Sequence, residues 1–489
     1  MRSNRIASTV LGLAVAACSG EQAERPATKP PSDVTGTFVD TRITETGEAL
    51  SVPDTAALDI IALVPDGSGG FSEIIGELSE DGSFRIPAVP EGTYYLRILE
   101  LFGSGTLPPR YLVTSERSLD LGRVYAGRGD AEAIDSPATQ LVLDVDGLSP
   151  WQKDDTLEIF SLGAGASGAL VPASQPPAVG ATSLNGYATD LSQLVARKRI
   201  DGGAGDRAYI TQSVAHGTPD TPGFHRSVSK VLAPAPFTVV EGQAQNLSGS
   251  FEDVPQKTVA VSFDVPAFEA LAKDVYATAT VTTQDFNLLV EPGGPERSTA
   301  TVTPTLLYHT FSAGTPVPAL AYGNPFPSEW TEVASASFQY AVEHALPGNV
   351  TKTHFVSIGV SGLVPAMMGA TLKPTLGPPL DVTVGDMPAS GPISGVGVAP
   401  TVRWSPPSLG TPAIYTVTIR RIDPMGGLTR TVASFWTKET SLAIAPGLMA
   451  PGSFYYVRVG TGGQWNPKSP FKGGNTSAFA AALTGVVSP

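Results

Sequence analysis

Leu448-Met449-Ala450-Pro451-Gly452-Ser453-Phe454-Tyr455-Tyr456-Val457-Arg458-Val459 combines a tight turn with the start of an extended segment. Pro451 presets its own backbone torsion and Gly452 accepts a left-handed one, so the chain can reverse there. The aromatic and β-branched run that follows suits a strand half covered by a core. Upstream, Pro400-Thr401-Val402-Arg403-Trp404-Ser405 offers a tryptophan to the same core. Tyr415, Val417 and Ile419 alternate inward along the next strand.

Together these residues resemble the fibronectin type III domain, whose E-F corner carries a leucine, a Pro-Gly turn and a tyrosine. The resemblance implies a two-sheet sandwich over about residues 377–489, with Tyr455 as the corner tyrosine bonding back to the loop. This chain has one extra residue between Leu448 and Pro451, and a Gly-rich final hairpin after Val459 that carries Trp465. Trp465 is a candidate binding residue, because an exposed indole gives large contact area at small entropic cost.

The same alternation, punctuated by Gly and Pro, runs through the whole chain. The 489 residues include 52 Gly and 44 Pro, and only 16% are charged, a composition that suggests many short strands joined by turns. Near the N-terminus, Gly76-Glu77-Leu78-Ser79-Glu80-Asp81-Gly82-Ser83-Phe84-Arg85-Ile86 leads to Val89-Pro90-Glu91-Gly92-Thr93-Tyr94-Tyr95-Leu96. These stretches, with Val34-Thr35-Gly36-Thr37-Phe38-Val39-Asp40, resemble the prealbumin-like, carboxypeptidase-regulatory type of β-sandwich. That resemblance implies a sandwich over residues 34–127. Some surface-adhesin relatives of this sandwich lock themselves with a lysine-asparagine crosslink, which is chemically excluded here because residues 34–127 contain no lysine.

Residues 138–376 resemble no named family and are expected to form one large or two smaller sandwiches. Ala336, Phe338, Tyr340 and Val342 alternate on one face of a strand over 334–343, although Trp330, Ala334, Phe338 and Ala341 would also make a helical stripe. Short helices are expected at Phe268–Val275 and at Asp190–Arg199. The fold class is therefore all-β, with tandem β-sandwich domains after an N-terminal leader.

That leader is MRSNRIASTVLGLAVAACSG: two arginines, an apolar run from Ile6 to Ala17, then the single cysteine of the chain. This is signal-peptide architecture, too short for a permanent membrane span. Val15-Ala16-Ala17-Cys18 resembles the lipobox of bacterial lipoproteins. The resemblance implies cleavage of residues 1–17, acylation of Cys18 and palmitate-type anchoring. With Ser19 next, sorting to the outer membrane is expected. Two or three acyl chains hold a protein stably where one is marginal. Residues 18–33 are polar and proline-containing and read as a flexible tether.

Removing Arg2 and Arg5 from the 31 basic residues leaves 29 against 45 acidic ones, a formal charge of −16. Such a surface excludes nucleic acid as the expected partner, since phosphate binding requires clustered Lys and Arg. The cluster Arg197-Lys198-Arg199 reads as a solvated segment. His216, His225, His309, His344 and His354 show no metal-ligand spacing, although His216 and His225 with Asp220 between them would converge on a metal if their loop allowed it. Asp144-Val145-Asp146-Gly147 starts like a calcium loop but lacks the later ligands. Gly359-Val360-Ser361-Gly362-Leu363 lacks the second glycine of a nucleophile elbow. Glu329 and Glu332 beside Trp330 have a spacing that a charged surface shares with a glycosidase. Arg128-Gly129-Asp130 spells an adhesion tripeptide in a linker-like stretch.

No catalytic residue, cofactor or metal is expected. The function that follows is binding or scaffolding in the bacterial envelope, toward a protein or glycan ligand. The alternatives are a subunit of an envelope assembly, or a carbohydrate-active or peptidase enzyme with its site in 138–376.

Overall fold

The computed structural model describes residues 30–102, 105–172, 174–218, 223–297, 303–312, 319–346, 350–423, 429–466, 471–472 and 476–489. The chain is all-β, built of two-layer units whose strands alternate buried and exposed residues, as pleated strands over a core require.

In the C-terminal unit one sheet holds Leu380–Val384, Met387–Pro388, Thr401–Ser405 and Ser441–Ala443. The facing strands are Ile414–Ile422, Thr429–Thr437, Phe454–Gln464 and Thr476–Leu483. This is the strand arrangement of the fibronectin type III sandwich. Trp404 is buried against Tyr415, and the backbone N–H of Ala450 donates to Tyr455 Oη at 2.9 Å. The corner tyrosine thus sits where the sequence puts it. Gly452 takes φ +73°, the left-handed conformation its turn demands.

The N-terminal unit sets Ser32–Thr37, Glu77–Leu78, Ser83–Val89 and Ser118–Asp120 against Leu58–Pro65, Phe71–Ile75, Tyr94–Phe102 and Arg110–Thr114. The first strand starts inside the stretch read as tether: Asp33 is held by the Arg85 guanidinium at 2.7 Å and by the Ala88 N–H at 3.0 Å.

The middle region contains more than one core. Gln140–Asp146, Leu184–Asp190 and Ala244–Ser250 cover Thr156–Ser161, Ala166–Ala169, Tyr209–His216 and His225–Leu232 around Leu141, Trp151, Ile159 and Ile210. A separate unit is made of four long strands, Val281–Glu291, Thr305–Ser312, Thr331–Leu346 and Val350–Leu363. Ala336, Phe338, Tyr340 and Val342 all point inward from the third of these. The helix expected at Phe268–Val275 forms over Val265–Val275, capped by the Asp264 carboxylate, and stacks Phe268 on Phe338 at 3.9 Å. No such helix forms at Asp190–Arg199. Only a 3-10 turn at Leu191–Gln193 does, because bridges from Ala196 to Ser167 and from Lys198 to Ala133 keep the segment extended.

The four units do not hang as separate beads. Arg110–Thr114 pairs in parallel with Thr429–Thr437, placing Tyr111 opposite Phe435 and Val113 opposite Thr437. Ile358, Gly359 and Val360 pair with Ala480, Phe479 and Ala478. Arg226 and Ser227 pair with Tyr308 and Leu307. One continuous sheet therefore runs through all four units, in the spatial order first, fourth, third, second. The hairpin Asp40–Thr44 and Gly47–Ser51 leaves the N-terminal sandwich and brings Ile43 into the core around Phe160, Phe286 and Trp330. Arg297 also pairs with Glu48, so the first unit touches the second and third as well as the fourth.

Candidate functional site

The five histidines, scattered in sequence, gather into two clusters. His216 and His225 end neighbouring strands as a register pair, with rings stacked 4.4 Å apart at 14°. His309 stands edge-on to His225 at 6.4 Å. His216 Nε2 lies 2.9 Å from Ser227 Oγ. The Nδ1–H of His225 donates to the Gly223 carbonyl at 2.8 Å, and that of His309 to the Phe224 carbonyl. Burial holds His216 and His309 below the usual imidazole range, and the neighbouring His225 adds to this. Asp220, the carboxylate that would complete a metal set in the sequence, lies outside the described residues. Among the described residues no three His, Cys, Asp or Glu side chains converge as metal ligands.

His344 and His354 face each other across the long hairpin, Nδ1 to Nδ1 at 2.7 Å. His344 Nε2 is 2.7 Å from the Thr484 carbonyl, so it carries the proton there, and its Nδ1 accepts from His354. Tyr456 lies against both rings. Burial, then the charges of His344, Arg420 and Lys352, push His354 down to about 4. These imidazoles knit the third unit to the fourth rather than face solvent as general bases.

The other chemical candidates have structural partners. Glu332 accepts from Lys257 at 2.8 Å, Asn324 at 2.7 Å and Tyr322 at 2.8 Å, contacts that hold its carboxyl below the usual range against the opposing effect of burial. Trp330 is buried, stacked on Phe326 at 5.5 Å, while Glu329 is exposed. Ser361 lies within a strand and donates to Ser335 at 3.1 Å. Asp144 accepts from the Gly186 N–H at 2.7 Å, and Asp146 ends its strand before the turn at Gly147. Arg128 of the Arg-Gly-Asp tripeptide is turned inward: it pairs with Asp206, which is 2% exposed, at 3.3 Å, and with Asp130 at 2.9 Å. In the basic cluster, Arg197 pairs with Asp135, Arg199 with Glu132, and Lys198 donates to the Ala131 carbonyl at 2.9 Å.

Cys18 lies outside the described residues. Trp465 follows the Phe454–Gln464 strand and is half-buried, with its indole N–H enclosed and without a hydrogen-bond partner among the described residues. No segment shows the length and hydropathy of a membrane-crossing helix among the described residues.

No protein-family model matches the chain, and no curated protein does. Among solved structures it is similar to the FN1–FN3 domains of chicken CNTN1 at 9% identity and a TM-score of 0.14, over 94% of this chain and 100% of that one. It is also similar to a tetra-tandem repeat from the extending region of a large adhesion protein, at 14% identity and a TM-score of 0.13, over 94% and 99%. At such scores the sandwich assignment rests on the strand pairing of the chain itself.

Proposed function

We propose that this chain is a bacterial envelope lipoprotein, anchored by acylation at Cys18, that acts as a non-catalytic binding scaffold on the outer membrane. The single observation that carries the scaffold reading is the sheet that runs unbroken through all four units. A joined body of this kind presents loops and sheet edges at fixed mutual positions, which suits recognition of an extended protein or glycan surface. The participation of the histidines, Glu332, Ser361 and Arg128 in internal contacts supports a structural use of groups that would otherwise suggest catalysis. The leader sequence supports the anchor.

Cys18→Ser tests the anchor: acyl labelling should disappear and the protein should leave the membrane fraction, and persistence of both would refute the anchor. Protease treatment of intact cells, with a periplasmic marker as control, tests the surface placement. Cleavage is the expected result; protection would move the scaffold to the periplasm and make an envelope assembly its setting.

A further inference from the structure

A cleft of about 170 Å³ opens in the N-terminal unit. It lies where Asp40 begins its strand and where Tyr94–Phe102 and Arg110–Thr114 run beside one another. Its polar lining is Asp40, Asp54, Glu100, Arg110, Arg123 and Tyr125, with Asp54 Oδ1 already taken by the Ala56 N–H at 3.0 Å. Arg123 is engaged: its backbone N–H donates to Asp40 Oδ1 at 2.8 Å, and its guanidinium donates to Tyr125 Oη at 3.1 Å and to Glu100 Oε1.

Arg110 is not. Its side chain is only 15% exposed, with Cζ 5.1 Å from the Trp436 ring and the nearest carboxylate, Glu100, at 3.6 Å. Among the described residues its guanidinium makes no hydrogen bond, and Nε is enclosed without a partner. A guanidinium offers five N–H donors, and leaving them unfilled away from water costs free energy that an acceptor would recover. The missing acceptor is best supplied by a carboxylate, which matches the guanidinium fork.

A bare carboxylate would also meet the acceptor carboxylates of Asp40, Asp54 and Glu100, which line the same cleft. A ring that bears the carboxylate on one side and hydroxyl donors on the other satisfies both sets. Phe38 and Leu58 supply apolar wall for such a ring. At about 30 Å³ per liquid water the cleft holds roughly six waters, the room of one ring rather than of a chain.

We infer that this cleft binds an acidic sugar of the uronate class, its carboxylate on Arg110 and its hydroxyls on Asp40 and Glu100. The site is independent of the anchor at Cys18. Titration calorimetry of the full chain bearing Cys18→Ser, with glucuronate, glucose and acetate as probes, tests it. Saturable binding of glucuronate is expected, with glucose and acetate weaker by at least about tenfold. Arg110→Lys should lower glucuronate affinity about tenfold or more while the unfolding transition persists. Ala57→Trp, which fills the rim and leaves the charges in place, should abolish binding. Equal binding of acetate and glucuronate, binding unchanged in either variant, or absence of saturable glucuronate binding would each overturn the assignment.

Discussion

Tyr111 of the N-terminal sandwich stacks on Phe435 of the C-terminal sandwich, ring centroids 4.6 Å apart and planes 12° from parallel. The two rings are register partners in the parallel pairing of Arg110–Thr114 with Thr429–Thr437. They belong to one hydrophobic cluster that also holds Ile61, Tyr95, Trp404 and Tyr455. Units from opposite ends of the chain thus share a core as well as a sheet.

Phe435→Ala should cost about 3–5 kcal/mol, because it removes a fully buried ring and leaves a cavity that both units line. Urea unfolding should show a lower midpoint. Tyr111→Ala should act on the same transition, and the double variant should lose less than the two single losses combined, since neighbours in contact are not independent.

Gly359 sits where the third unit joins the fourth, opposite Phe479. A Cβ there would lie 2.3 Å from the Phe479 ring and 3.0 Å from the Ala336 carbonyl oxygen. Gly359→Ala should therefore destabilise by about 1–3 kcal/mol through overpacking. Adding Phe479→Leu should recover part of the loss in thermal unfolding.

Removing the corner hydroxyl with Tyr455→Phe leaves the Ala450 N–H without its acceptor. A loss of about 1–3 kcal/mol is expected in chemical denaturation, with the fold retained.

The His344–His354 pair sets an acid limit. His354 titrates at about 4 in the folded chain and near its ordinary value of 6.5 when unfolded. The unfolded state therefore binds more protons across that window, and stability is full above about pH 6.5 and is lost as pH falls toward about 4. His344, His216 and His309 are also lowered by burial and act in the same direction. His354→Gln should flatten part of this slope in unfolding midpoints measured across the range.

Local features were legible in the sequence because local chemistry determines them. The Pro451-Gly452 turn with Tyr455, the inward stripe of Ala336, Phe338, Tyr340 and Val342, and the helical stretch Phe268–Val275 each follow from short-range patterns, whereas the first turn of that helix and its Asp264 cap lie outside the expected stretch. The inter-unit pairing was not legible. The alternation in Arg110–Thr114 and in Thr429–Thr437 fixes which face is buried but not which edge finds a partner across the whole chain. The histidine pairs were hidden for a similar reason: His344 and His354 are ten residues apart, and only the hairpin register makes them opposite. Arg110 belongs to no motif, and its unfilled donors appear only once Glu100, Arg123 and Trp436 are in place.

Hydrogen exchange over Arg110–Thr114 and Thr429–Thr437 tests the joined sheet most directly. A separate sandwich leaves one row of amides on each of these edge strands open to water, whereas the parallel pairing engages both edges. The joined sheet predicts slow exchange through the paired stretches Arg110–Val113 and Ser434–Thr437, at the rate of the interior strands. Exchange of alternate amides at loop rates within Arg110–Val113 and Ser434–Thr437 would contradict it and return the chain to independent units.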